Sequence, residues 1–260
     1  MRTLVLLALL SLAGPVSAAD APTFCADRPG LATGTCTASA GTVQLESSFL
    51  DWSAANGSTE EQVFLIGPSR LRLGLDDRTD VQLGWTPFIR SYERDADGRV
   101  RHSGVGDIFL VGKHRLTGDG APFALALMPF IKVPVARRSI GNGHWEGGLL
   151  IPAELALSDP WSLTLTPEID WNSDGGGHGY HTRLAAAASL GFALGARWSA
   201  SLDGLVGREN DGDDTAKETA VGFALGFQAT PTLQLDVQAD AGFTRDTPDV
   251  QLDAGFALRF

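Results

Sequence analysis

Charged residues two positions apart recur along this chain: Arg70 and Arg72, Lys113 and Arg115, Glu168 and Asp170. In an extended strand successive side chains point to opposite faces, so a spacing of two puts both charges on one face. Carrying that phase along the chain collects Glu46, Arg70, Arg72, Asp80, Asp107, Lys113, Arg115 and Lys132 on one side of a sheet. Glu146, Glu154, Glu168, Asp170, Arg183, Arg197, Asp203, Asp236, Asp240, Asp253 and Arg259 join them. Two chemistries are open to such a mixed-sign face. It can line a path whose field selects solutes. It can also form cross-strand ion pairs that fill and brace an interior, because unpaired charges away from water are costly.

Catalytic chemistry has less support. The five histidines are His102, His114, His144, His178 and His181, and the pair in His178-Gly-Tyr-His181 lies in a Gly-rich loop. A metal ion could sit there, but loop histidines are more often solvated, and no metal centre or cofactor is expected. There is no Gly-x-Ser-x-Gly elbow, His-Glu-x-x-His pair or phosphate-binding glycine loop. No Ser and His share a strand face in a way that marks a hydrolase, so the chain is not expected to be an enzyme. Cys25 and Cys36 are the only cysteines and lie in a stretch rich in Pro, Gly and Thr. In an oxidising compartment such a pair is expected to form a disulfide. Two free thiols or a metal pair are the alternatives, although two cysteines without nearby His make a poor zinc site.

The elements that position the charges are strands. In residues 161–172, Trp161, Leu163, Leu165, Pro167, Ile169 and Trp171 fall on one face, with Ser162, Thr164, Thr166, Glu168, Asp170 and Asn172 on the other. Residues 232–244 and 250–260 alternate in the same way. The whole chain yields about twelve strands: 42–53, 61–75, 79–88, 105–116, 122–134, 144–157, 161–172, 182–194, 197–207, 217–228, 232–244 and 249–260. Most run to about 10 to 15 residues; a membrane-crossing strand needs about 9 to 11, whereas strands of soluble proteins average about 5 to 6. Short connections at 76–78, 117–121, 158–160, 195–196 and 229–231 alternate with longer, more polar ones at 54–60, 89–104, 135–143, 173–181 and 208–216. The last, 245–248, is short. That asymmetry predicts an all-β, transmembrane, antiparallel up-and-down barrel, with both termini in the periplasm. Five of the six tryptophans fall near strand ends on the apolar face, as interfacial aromatics do; Trp52 is assigned to the polar face. Twelve strands about 4.8 Å apart, tilted about 40°, give a backbone diameter of roughly 24 Å and at most a narrow bore.

The N-terminus agrees with export. Arg2 precedes an apolar run to Leu12, then Gly14-Pro15 and the small-residue site Val16-Ser17-Ala18, the pattern of a cleavable signal peptide over residues 1–18. Residues 19–40 then form an N-terminal periplasmic segment and 41–260 the barrel. Hydrophobic residues make up 43% and glycine 31 of 260 positions, so apolar side chains must be spread thinly through strands rather than concentrated in helices. The net charge of −11 argues against nucleic acid, which needs clustered Lys and Arg.

Several stretches together resemble a family of outer-membrane transporters named for the meta-pathway of phenol degradation. They are Cys25-Ala-Asp-Arg-Pro-Gly30 with Cys36, Gly106-Asp107 leading to Lys113-His-Arg-Leu116, and Pro129-Phe-Ile-Lys-Val-Pro134. The likeness extends through the alternating C-terminal half to Phe260. It implies a monomer-sized barrel passing small, often hydrophobic or aromatic, compounds, with no agreed set of functional residues to carry over. The expected function is therefore an outer-membrane channel for small organic solutes, with a closed structural or surface-interaction barrel as the alternative. An outer-membrane enzyme or a soluble lipocalin-type barrel ranks behind both. Expected partners are outer-membrane lipid, the solute, and the barrel-assembly machinery, for which Phe260 at the end of an alternating strand resembles the recognition signal.

Overall fold

The computed structural model describes residues 24–57, 59–96, 98–118, 121–175, 178–212 and 214–260; the expected signal peptide lies outside them. Sixteen strand segments form one antiparallel sheet that closes on itself. They make twelve staves. Eight are single strands: β1 (Val43–Asn56), β8 (Phe123–Val133), β11 (Trp161–Ser173), β12 (Tyr180–Leu194), β13 (Trp198–Asp211), β14 (Asp214–Thr230), β15 (Leu233–Gly242) and β16 (Val250–Arg259). The other four are split in two: β2 (Glu60–Ile66) with β3 (Ser69–Asp76), β4 (Thr79–Trp85) with β5 (Phe88–Asp95), β6 (Gly98–Gly104) with β7 (Ile108–Arg115), and β9 (Glu146–Leu150) with β10 (Ala153–Ala156). The seam runs between β1 and β16, from Gln44 opposite Arg259 to Ala54 opposite Val250.

Three of the four breaks carry a proline, which cannot donate to the ladder. Pro68 follows Gly67, whose φ of 67° is open to glycine but costly for other residues; Pro87 and Pro152 mark two more. The first two breaks touch, with the Gly67 position against the Pro87 ring. The wall therefore bends along a line that crosses neighbouring staves.

The sheet is inverted relative to a water-soluble protein. Arg72, Asp80 and Lys113 are buried inside, while Leu71, Leu83, Leu110, Ile131, Leu184, Leu202, Val221 and Leu252 are exposed around the outside. An apolar belt with a polar interior suits a barrel set in lipid and disagrees with a lipocalin-type barrel, whose polar face looks outward. Trp161 and Trp198 are exposed at one rim, and Trp85, Trp145 and Trp171 toward the other.

Two expectations need correction. The connections at 89–104 and 208–216 are strand for most of their length: β5–β6 and β13–β14 are hairpins running from Asp95 to Gly98 and from Asp211 to Asp214. Loss of apolar alternation marks where the belt ends, not where the strand ends, because ladder hydrogen bonds persist in water once a hairpin is registered. Trp52 also faces outward. A bulge between Ser48 and Leu50 shifts the phase of β1, so Asp51 lies opposite Asp253 inside and Trp52 opposite Leu252 outside.

Candidate solute path

The lumen is crossed by residues 24–40, and the chemistry of the crossing is ionic. Asp27 is buried against β7, where the Lys113 Nζ donates to it at 2.5 Å, and Arg72 and Arg70 of β3 stand 3.5 and 3.8 Å from its other oxygen. Burial pushes the Asp27 carboxyl up, but the Arg72, Lys113 and Arg70 charges outweigh it and hold the group at about 2. Arg72 is the hub. Its guanidinium also donates to Glu46 at 2.8 Å, to Asp80 at 2.7 Å, and to the Cys25 and Cys36 carbonyls at 3.2 and 3.1 Å.

Arg28 reaches the opposite way. It donates to Asp236 of β15 at 2.8 Å, to Ser48 at 2.9 Å and to Asp253 of β16. Further along, the Gly30 N–H donates to Gln238, the Thr33 N–H to Thr166, and the Thr35 hydroxyl to Glu154. The segment is thus tied to β1, β3, β4, β7, β10, β11, β15 and β16. A disulfide between Cys25 and Cys36 closes it into a ring. It is a plug within the barrel rather than a flap at its mouth.

Space remains on both sides of the plug. A cavity of about 380 Å³ lies toward the rim of the short turns, bounded by Glu154, Ser162, Ser189, Ser199 and Gln234. Another of about 300 Å³ lies among Ser48, Asp51, Arg70 and Asp107, with Asp27 and Arg28 bordering both. Toward the long-loop rim, Arg183 bridges Asp170 at 2.7 Å and Glu218 at 2.6 Å, and Lys132 pairs with Glu146. There His181 donates or accepts at 2.7 Å with Glu209 and 3.0 Å with Asp174, beside a vestibule of about 400 Å³. Ligand atoms of Asp174, His181 and Asp211 lie within 4.8 Å of one another.

The model of the family described as "Putative MetA-pathway of phenol degradation" matches residues 26–260. The chain belongs to this family. No curated relative matches the sequence. Among solved structures, an outer membrane channel from Pseudomonas putida F1 is similar at 19% identity and a TM-score of 0.66, over 90% of this chain and 99% of that one. The NanC porin is similar at 9% identity and 0.52, over 83% and 98%. The β domain of the Bordetella autotransporter Brka is similar at 11% and 0.54, over 86% and 100%. At these identities the likeness is one of fold.

In this family member the charges collected by alternation fall in several groups. Glu46, Arg70, Arg72, Asp80, Lys113, Glu154, Asp236 and Asp253 meet the plug directly, Glu46 through the Asp27 N–H and Asp80 through the Ala38 N–H. Asp203 lies against the Gly30 position, and Asp240 accepts from Gln238. Glu168, Asp170 and Arg183 form the separate cluster above, and Lys132 with Asp107 holds the start of the 134–145 loop through the Ala136 N–H. Arg115 and Arg259 sit at the short-turn rim, Arg259 over the Phe24 ring, and Arg197 is exposed in the 195–197 turn, off the wall. Phe260 donates its N–H to Val43 across the seam. Alternation did not reveal Asp27, Arg28, Asp51 or Glu218. The first two carry one legible signal, an adjacent acid and base inside a disulfide ring; Asp51 is hidden by the bulge.

Proposed function

We propose that the chain is a passive outer-membrane channel for small organic solutes, gated by the plug of residues 24–40, with its barrel ends in the periplasm. The observation that carries the reading is a polar lumen holding two cavities of about 380 and 300 Å³ that share Asp27 and Arg28 as a common border. Volumes near the low end of small-molecule sites suit a compact solute, a single ring rather than a chain. The aromatic solutes associated with the family fit that size. The orientation is supported by the short turns, which share a rim with Val43 and Phe260, as periplasmic turns do. The reading includes no catalytic step.

Planar-bilayer conductance and liposome uptake of a monoaromatic solute test it. The full chain is expected to pass small currents, and a barrel lacking residues 19–40 larger ones. Absence of both current and uptake in both proteins sinks the proposal. One observation favours a second reading, a closed bracing barrel: Arg72 is fully buried and answers Asp27, Glu46 and Asp80 together. That reading predicts silence in the same experiment.

A further inference from the structure

The outer face of the β2–β5–β6 wall is ordered by height. Residues directly opposite each other in a ladder share a face, which sorts this one into rows. Ile66 opposite Phe88 forms the lowest row; Trp52, Phe64 and Arg90 form the next. Gln62, Tyr92 and Arg101 follow, and Glu60, Arg94 and Arg99 form the top row. Trp52, Phe64 and Tyr92 form a ladder of tilted and edge-to-face contacts, with ring centroids 6.4 and 6.1 Å apart. Trp52 lies nine positions along β1 from Val43, a rise of roughly 23 Å at the usual strand tilt, close to the height of a barrel's apolar band of about 25 Å. The aromatic ladder therefore marks the rim of the hydrocarbon, and the arginines stand at and just above it.

Four guanidinium groups share this face with Glu60, the carboxylate that comes within 3.8 Å of Arg94. Glu61, Glu93 and Asp95 alternate onto the opposite face. The patch is cationic in a chain of net charge −11. A depression of about 310 Å³ lies between Glu60, Gln62, Phe64, Tyr92, Arg94 and Arg99. Arg90, packed over the Phe88 ring at 5.2 Å, has a buried Nε without a hydrogen-bond partner. Guanidinium pairs recognise phosphate bidentately, and apolar rows directly beneath them suit acyl chains.

We propose that this face binds the phosphate groups of a phosphorylated acyl-sugar lipid of the outer leaflet, with the acyl chains lying along Ile66, Phe88, Trp52 and Phe64. The proposal rests on the orientation given above, since only then do the arginines meet the outer leaflet. The binding experiment does not depend on that orientation or on conduction. The full mature chain in detergent micelles is titrated with diphosphorylated lipid A and with the same lipid stripped of phosphate. Diphosphorylated lipid A is expected to bind at least tenfold more tightly, and R99E/R101E to lose that tenfold while keeping its heat-modifiable gel mobility. R99K/R101K is expected to lose only part of it. Equal binding of the dephosphorylated lipid, or unchanged affinity in R99E/R101E, overturns the proposal. Inorganic phosphate binding as tightly as the lipid overturns the choice of a lipid ligand. Should R99E/R101E fail to fold, R99Q and R101Q singly carry the same comparison. Failure here with a positive flux experiment removes the lipid site and leaves the channel. An epitope tag in the 135–143 loop that is hidden on intact cells removes the orientation instead.

Discussion

The two halves of the barrel wall are built differently. From β11 to β16 the staves are unbroken and pair along long registers: β13 and β14 match from Trp198–Phe227 to Asp211–Asp214. Alanine and glycine recur on this side, as in Ala185 to Ala188, and the inward side chains are short enough to leave the larger cavity open. From β2 to β10 four staves are broken, and the charges that hold the plug most densely (Arg70, Arg72, Asp80 and Lys113) lie on β3, β4 and β7. One half is a frame; the other is a clamp. The lesson is that the tight contacts gather on three adjacent ladders, where Asp80 lies opposite Lys113 and Arg72 opposite Gln82, so neighbouring inward positions of β3, β4 and β7 meet the plug together.

The largest expected effect comes from unmaking the clamp. R72A would leave Asp27, Glu46 and Asp80 without their shared cation in a buried site, at a cost of about 3 to 5 kcal/mol. R183A, in the more exposed cluster of the frame, loses pairs to Asp170 and Glu218 that retain water access and is expected to cost about 1 to 2 kcal/mol. The temperature of the heat-modifiable gel shift reads both. A larger loss for R183A would reverse the assignment of clamp and frame.

Acid should release the clamp selectively. Asp27 is held at about 2 in the folded chain, below the roughly 3.9 of a free aspartate. A depressed carboxylate contributes its stability above the unfolded value and loses it as pH falls through the folded one. Plug attachment is therefore expected to weaken from about pH 4 and to have lost the Asp27 contribution below about pH 2. Proteolysis within residues 24–40 by an acid-tolerant protease, or rising conductance, would follow that window in the parent chain. D27N should show weaker attachment already at pH 7 and a smaller further change between pH 4 and 2 than the parent, since only the other carboxylate contacts then titrate; a D27N profile that still follows the parent removes Asp27 from the clamp.

How much of this was legible follows the same division. In the frame, period-2 alternation holds along most of each stave, so most of the strands, their inward charges and the closing stave follow from residue types; Arg197, the hairpin at 208–216 and an irregularity at Gln228/Thr230 are the exceptions. In the clamp, Pro68, Pro87 and Pro152 interrupt staves without ending them, and the bulge at Ser48/Leu50 inverts the phase that had placed Trp52 inside. A period counts residues, and a bulge adds one that the count cannot see. The plug was legible as a ring closed by Cys25 and Cys36, but its depth was not, because Asp27 finds Lys113 only when distant staves are brought side by side. The charge pairs Arg183–Glu218 and Arg28–Asp253 are likewise long-range. The family resemblance reached the correct architecture by a different route, through the order of short motifs.

The smallest expected effect asks what sets the bend itself. Gly67 and Pro87 meet across it, with a Cβ at position 67 falling 3.3 Å from the Pro87 ring. G67A would force a side chain into a left-handed backbone with φ of 67°, a cost of about 1 to 2 kcal/mol, and push against that ring. P87T removes only the ring at an exposed site and restores a backbone donor, so its cost should stay within about 0.5 kcal/mol. If the missing donor causes the bend, amide exchange at residues 86–88 should slow in P87T as the ladder joins β4 to β5. If Gly67 sets it, exchange there stays fast in P87T, and only G67A shifts the gel transition. We expect the second pattern, because a positive φ redirects the chain whatever its neighbour donates.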